Sequence, residues 1–151
     1  MDKTEIVNLI KTNVTQFNEQ RKSDPALGRG LDLSGVDLAG AELSNVDLSR
    51  TDLSNANLKG AILKSANLSS ANLEGSDLSD TDVDGANLHS ARLKGANLKG
   101  MRPEAFVGEC RVCLRAESFQ ETRWDKGQIE AVLEIINQNA DWKVQYEIVP
   151  K

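Results

Sequence analysis

Residues 31–100 read LDLSG VDLAG AELSN VDLSR TDLSN ANLKG AILKS ANLSS ANLEG SDLSD TDVDG ANLHS ARLKG ANLKG, which is fourteen pentads in one register. The third position of every pentad is leucine, except at Val83. The first position is mostly small or β-branched, and the second is an acid or an amide in twelve of the fourteen pentads. The unit is therefore A-(D/N)-L-x-x.

A period of five fits neither the 3.6 of a helix nor the 2.0 of a strand. Each pentad is therefore predicted to be a short extended piece followed by a turn. In an extended piece the first and third residues share a face, so both point inward and the second residue points outward. The last two positions are rich in serine, glycine and asparagine, which favour turns. Short self-similar units of this kind stack as a solenoid.

These residues resemble the pentapeptide-repeat family. The resemblance implies an all-β solenoid, a right-handed quadrilateral β-helix with four pentads per coil and helical caps. Residues twenty apart would then stack, and alternating amides and carboxylates would hydrogen-bond along an outer column. Much of the acid pattern would thus serve stability. The predicted inner column is Leu33, Leu53, Leu73 and Leu93, and one predicted outer column is Asp37, Asn57, Asp77 and Asn97.

Residues 1–30 are expected to form an N-terminal helical cap and lead-in. Asp2 followed by Glu5 fits a capping box, and apolar residues then recur at helical spacing until Asp24-Pro25 ends a single helix. The apolar face would cover the open end of the first coil, as solenoid ends require. The alternative is an amphipathic helix that binds a partner.

Residues 101–125 are predicted to be degenerate repeats after a register shift. Leu114, Phe119 and Trp124 again stand five apart, but one residue later in phase than the main array. A single bulge near Gly108, or a short loop, would reconcile the two phases.

Residues 126–151 are predicted to form a C-terminal helix and a strand. Asp125 and Gln128 mark the helix start, and residues 142–148 alternate apolar and polar side chains. The strand could pair with the last coil and close it, or pair with its copy in a homodimer. The protein is therefore expected to be a single domain, either a monomer or a homodimer.

The sequence shows no catalytic constellation, and the protein is predicted not to be an enzyme. Cys110 and Cys113 form a CxxC pair without two further zinc ligands, and they are expected to be reduced and structural. His89, the only histidine, falls on a position that should face solvent. No cofactor or metal is expected.

The bulk composition of the 151 residues favours a cytoplasmic protein. No apolar run is long enough for a signal segment or a membrane span. A net charge of −5 without a basic stripe argues against direct nucleic-acid binding.

The candidate contact surface combines one apolar outer residue with charged neighbours. Ile62 stands at an outward position between Lys59 and Lys64, and it is the best single candidate for a contact residue. Negative charge is concentrated at the start of the array. The acidic candidates are Asp32, Asp37, Glu42, Asp47 and Asp52.

Two functions are compatible with such a rod. The first is a protein–protein interaction scaffold whose partner is unknown. The second, which the family resemblance suggests, is a DNA mimic that binds a type II topoisomerase such as gyrase. Residues 31–100 hold ten acids and six bases. Spread over the predicted solenoid length of about 17 Å, their net charge gives a charge density of about −0.24 per Å, whereas duplex DNA has about −0.6 per Å. The charge density therefore favours the scaffold.

Overall fold

The computed structural model describes residues 1–28, 30–101, 122, 123 and 125. Across the repeat, the backbone returns beside itself every twenty residues. Ten parallel bridges join second-position residues at this spacing, from Asp32 with Asp52 to Asp77 with Asn97. Four pentads therefore make one coil, as predicted.

The paired second positions form four outer columns, one on each face of the solenoid. Each column is named by its residues in chain order. Column 1 is Asp32, Asp52, Asn72 and Arg92; column 2 is Asp37, Asn57, Asp77 and Asn97; column 3 is Glu42, Ile62 and Asp82; column 4 is Asp47, Asn67 and Asn87.

The core runs along the axis of the coils. Every third-position side chain from Leu33 to Leu98 is at most 2 % exposed. First-position residues are buried beside them, with Ala41 as the half-buried exception. The alternation of inward and outward side chains is thus the one predicted for extended pieces.

A turn after each pentad limits the extended pieces to about three residues. The last residue of every pentad has a left-handed backbone, from Gly35 (φ 66°) to Gly100 (φ 74°). The next residue then donates its N–H to the preceding third-position carbonyl, as Val36 does to Leu33. The expectation of regular β structure therefore needs correction: residues 30–101 contain isolated bridges and no strand. The right-handed sense of the coil stays a prediction.

The N-terminal segment forms three helices instead of the single predicted one. They are α1 (Lys3–Thr12), α2 (Val14–Ser23) and α3 (Pro25–Gly28). The capping box of Asp2 and Glu5 is confirmed, and α2 ends before Pro25 as predicted. The single helix is wrong because Asn13 interrupts it: its side chain accepts the N–H of Gln16 and starts α2.

The helices pack on the first coil. Ile6, Ile10 and Phe17 are buried in the same cluster as the leucines of the array. Polar side chains also bond to the backbone edge of this coil. Lys3 Nζ donates to the Ser34 carbonyl (2.9 Å), and the Asp47 N–H donates to Asn18 Oδ1 (2.9 Å).

Beyond Gly100, the pairing distance changes. Arg123 pairs with Asn97, 26 residues earlier (123 − 97), whereas every other pair is 20 apart. The degenerate repeats and the register shift predicted here, by a single bulge near Gly108 or a short loop, fall mostly outside the described residues and stay predictions. The predicted C-terminal helix and strand, together with Cys110 and Cys113, lie outside the described residues. Within the described part, no helix is long and apolar enough to cross a membrane.

The left-handed turn position predicts opposite effects for two substitutions. Gly40 (φ 62°) has no atom within 4 Å of an added Cβ, so Gly40→Ala isolates the backbone penalty of about 1 kcal/mol. Ser70 (φ 58°) carries this penalty already. We expect Gly40→Ala to lower the free energy of unfolding in urea, and Ser70→Gly to leave it unchanged or raise it. A loss of stability in both variants would contradict the assigned turn.

Candidate interaction surface

Most polar side chains at the second position hydrogen-bond to the backbone of the turn that follows them. The side-chain oxygen at the second position accepts the backbone N–H two residues later, as Asp32 Oδ1 does from Ser34 (2.9 Å). Such a bond satisfies a turn N–H that the coil geometry leaves without a backbone acceptor. The residues that make it are Asp32, Asp37, Glu42, Asp47, Asp52, Asn57, Asn67, Asn72, Asp77, Asp82 and Asn87.

Amides also tie successive coils together along the columns. In column 2, Asn57 Nδ2 donates to Asp37 Oδ1 (3.0 Å), and Asn97 Nδ2 donates to Asp77 Oδ1 (3.0 Å). Columns 1 and 4 contain equivalent bonds, from Asn72 to Asp52 (3.0 Å) and from Asn67 to Asp47 (3.1 Å). The predicted amide–carboxylate ladder is thereby confirmed.

The same hydrogen bonds set the ionisation of the first carboxylates. The hydroxyl and N–H of Ser34, with Lys3 Nζ, lower the pKa of Asp32 to about 2. The N–H of Ser54 is the main cause of a lowered pKa at Asp52. A depressed folded-state pKa stabilises the fold above the unfolded pKa of about 3.9, and this contribution is lost as the pH falls through the folded value. Both groups are therefore carboxylates at neutral pH.

Several outer charges are already paired within the chain. Lys64 Nζ lies 3.3 Å from Asp82 Oδ2, and Arg92 Nη2 lies 2.6 Å from Glu74 Oε1. These pairs are partly exposed and contribute little to stability. They do leave fewer unpaired negative charges on these faces for a partner.

The sequence-predicted candidates do not form one patch. Asp32, Asp37, Glu42 and Asp47 lie one on each of the four columns, and Asp52 is stacked on Asp32. The first four share a coil and not a face, because consecutive pentads occupy consecutive faces.

Three of the candidates come together on column 3. Glu42 and Ile62 are paired in column 3, and Lys64 follows Ile62 in the same pentad. Lys59 belongs to the preceding pentad, on column 2. Sequence reasoning missed Asp82, which stands above Ile62 and binds Lys64; its distance of twenty residues from Ile62 was the available signal.

Ile62 breaks the hydrogen-bonding rule of the outer positions. Its side chain is half-buried, whereas the sequence predicted an exposed one. Glu42 and Asp82 flank it in column 3. It has no side-chain acceptor, and the Lys64 N–H makes no hydrogen bond to a described residue. A departure from a local structural rule without a compensating bond is expected at functional positions.

Other residues fit structural roles. His89 is exposed, as predicted. Arg21, which sequence reasoning missed, is 5 % exposed and donates through Nη2 to the Ser49 carbonyl at the edge of the first coil. Burial lowers its pKa, against the opposing effect of Asp47. In the described part of the chain, no three His, Cys, Asp or Glu side chains are grouped as a metal site requires.

The ladder predicts a pH-dependent effect at Asn57. Asn57→Asp keeps the turn acceptor but places a carboxylate between Asp37 and Asp77. Repulsion raises the folded-state pKa of the new group, so it destabilises the fold above about pH 4 and is relieved by protonation. We expect a loss of about 1–2 kcal/mol at pH 7 and a smaller loss at pH 3, measured by thermal unfolding. Asn57→Ala, the control, should lose similar stability at both pH values, and equal losses for Asn57→Asp would refute the ladder.

Comparison with known proteins agrees with this geometry. A family model described as pentapeptide repeats matches residues 32–69 and 66–100, with 8 copies. No protein of curated function matches the chain.

Solved structures of pentapeptide-repeat proteins also resemble it. One is from the thylakoid lumen of Arabidopsis thaliana (40% identity over 50% of this chain and 55% of that chain, TM-score 0.44). Another is Rfr23 of the cyanobacterium Cyanothece 51142 (31% identity over 62% of this chain and 52% of that chain, TM-score 0.47). The chain thus spans about half the length of each. Residues 32–100 therefore consist of pentapeptide repeats, as the sequence resemblance predicts.

Proposed function

We propose that the protein is a non-enzymatic scaffold that binds a partner protein through column 3, with Ile62 as the central contact. The observation that carries the proposal is that Ile62 has no side-chain acceptor for the N–H of its own turn. Its two neighbours in the column, Glu42 and Asp82, both accept the N–H of their own turns, and Ile62 cannot.

The solenoid supplies a rigid support for such a surface. Parallel pairing with the coil below fixes the backbone of Ile62, whose N–H donates to Ala41 O (2.9 Å) and whose carbonyl accepts from Leu43 N (2.8 Å). The next residue, Leu63, donates its N–H to Asp82 O (2.7 Å) in the coil above. A side chain on a fixed backbone loses little conformational entropy on binding. The partly exposed ion pair of Lys64 and Asp82 beside it provides a polar rim.

The N-terminal helices are better explained as a lid than as a partner-binding helix. Their apolar residues Ile6, Ile10 and Phe17 are at most 5 % exposed. The apolar face of the helices is therefore already buried in the core cluster. The partner surface is therefore sought on the solenoid.

The DNA-mimic alternative is less well supported. A mimic needs a dense array of free negative charges. Here the carboxylates of Asp82 and Glu74 are paired with Lys64 and Arg92, and Asp32 is paired with Lys3. The cytoplasmic location and the choice between monomer and homodimer stay predictions.

The substitution Ile62→Asn separates stability from binding. The introduced amide would regain the turn acceptor, so the free energy of unfolding should be unchanged or up to about 1 kcal/mol higher. Partner capture from a lysate of the source cells, quantified by mass spectrometry, should fall at least tenfold. Arg92→Asn restores the repeat pattern on column 1 and should leave capture unchanged. Equal capture by wild type and the folded Ile62→Asn variant would refute the proposed contact.

A further inference from the structure

The first coil has a backbone edge that the rest of the array does not. In later coils, each second-position residue pairs with the coil before it. Asp77 N donates to Ala56 O (2.9 Å), Leu58 N donates to Asp77 O (2.8 Å), and Gly60 N donates to Ser79 O (2.8 Å). No coil precedes residues 31–50, so the corresponding groups of the first coil need other partners.

The helices supply some of those partners on columns 1 and 4, although the N–H and carbonyl of Asp32 and the carbonyl of Asp47 make no hydrogen bond to a described residue. In the column 3 pentad they reach only the Asn45 carbonyl, which accepts from Asn18 Nδ2 (2.9 Å). On column 1, Lys3 donates to Ser34 O; on column 4, Asn18 accepts from Asp47 N and Arg21 donates to Ser49 O. On columns 2 and 3, six groups make no hydrogen bond to any described residue. They are the N–H and carbonyl groups of Asp37 and Glu42 and the carbonyls of Ala39 and Ser44.

The core is least covered at the same place. Ala41, on column 3, is the one first-position residue between 31 and 96 that is not buried. Val36, on column 2, is 8 % exposed, whereas Ala56 and Ala61 in the next coil are at most 1 % exposed. The unpaired backbone and the exposed core therefore mark one continuous edge.

The chain itself shows which side chains suit an acidic edge of this kind. Asp77 and Asp82 occupy the same columns two coils above Asp37 and Glu42. The segment directly below them is residues 56–64, which contains Lys59 and Lys64. Lys64 Nζ lies 3.3 Å from Asp82 Oδ2. Burial raises the pKa of Asp77, but the Ser79 hydrogen bonds and, to a smaller extent, the charge of Lys59 lower it overall.

We propose that this edge, the backbone of residues 36–44, is a second binding site. It takes a cationic segment of a partner protein that bends as the coil does at Gly40, so that two short extended pieces pair in parallel with columns 2 and 3. Strand addition to an exposed edge is driven by backbone hydrogen bonds, and side-chain pockets supply the specificity. Six such bonds are available, and two lysines five residues apart would meet Asp37 and Glu42. Ala41 and Val36 provide an apolar contact for small inward side chains. Glu42 belongs both to this edge and to column 3, but the edge uses different backbone groups from those that pair with Ile62, which are Ala41 O and Leu43 N.

A second copy of the chain is a poor occupant of this edge. Its own first coil carries the same carboxylates, and two such edges would place like charges together. The exposed Asp37 and Glu42 side chains thus discourage self-association and favour a cationic strand.

The test uses the full chain and a labelled peptide copied from residues 56–64, ANLKGAILK, with blocked ends. Fluorescence anisotropy should show saturable binding that weakens as salt is added. On binding, amide exchange measured by NMR should slow at Asp37 and Glu42 and stay unchanged at Asp47, whose N–H is already bonded.

Matched variants distinguish the edge from general charge attraction. Asp37→Asn with Glu42→Gln keeps the turn acceptors and should weaken binding at least tenfold. Asp47→Asn with Asp52→Asn removes the same charge elsewhere in the array and should change affinity less than twofold. No saturable binding up to millimolar peptide would overturn the proposal. Equal binding of a scrambled peptide with the same two lysines, or unchanged binding by the Asp37/Glu42 variant, would overturn it as well.

Discussion

The structure depends on parallel backbone pairing between pentads twenty residues apart. Each bridge uses the N–H and carbonyl of one second-position residue, and it aligns leucine above leucine inside the coil. Because each face is only about three residues long, no single face could hold a strand by itself. Stability therefore accumulates from one coil to the next, as in other repeat proteins.

This constraint explains why so much of the polar surface carries no functional information. A turn after each pentad leaves one N–H without a backbone acceptor, and an acid or amide at the second position supplies the acceptor. Where an amide follows an acid in the column, as Asn57 follows Asp37, it also bonds to the coil below. Each bond contributes about 1 kcal/mol. Exceptions to the pattern, such as Ile62, are the informative positions.

The sequence predicted the features that depend on its period. The twenty-residue stacking, the buried leucines and the column from Asp37 to Asn97 follow from the pentads and the family resemblance. The break at Asn13 was missed because the apolar spacing of Ile10, Val14 and Phe17 continues through it, and the capping bond of one side chain decides the outcome.

The candidate site was predicted less well because it depends on which pentads share a face. Five acids that are close in sequence lie on four different faces, whereas Asp82 lies above Ile62 although it is twenty residues away. The open edge at residues 36–44 depends on how short helices sit across the end of a coil. No periodicity in the sequence encodes that arrangement.

The most direct test of the pairing register is NMR detection of scalar couplings across backbone hydrogen bonds. We predict one coupling on each column, from an amide nitrogen to a carbonyl carbon in the coil below. The four couplings are from Asp52 to Leu31, from Asn57 to Val36, from Ile62 to Ala41 and from Asn67 to Val46. Couplings at this spacing on all four columns would establish the coil of four pentads and, with it, the faces on which both binding sites are defined. Couplings five residues shorter or longer would contradict the account, because Ile62 would then have other neighbours.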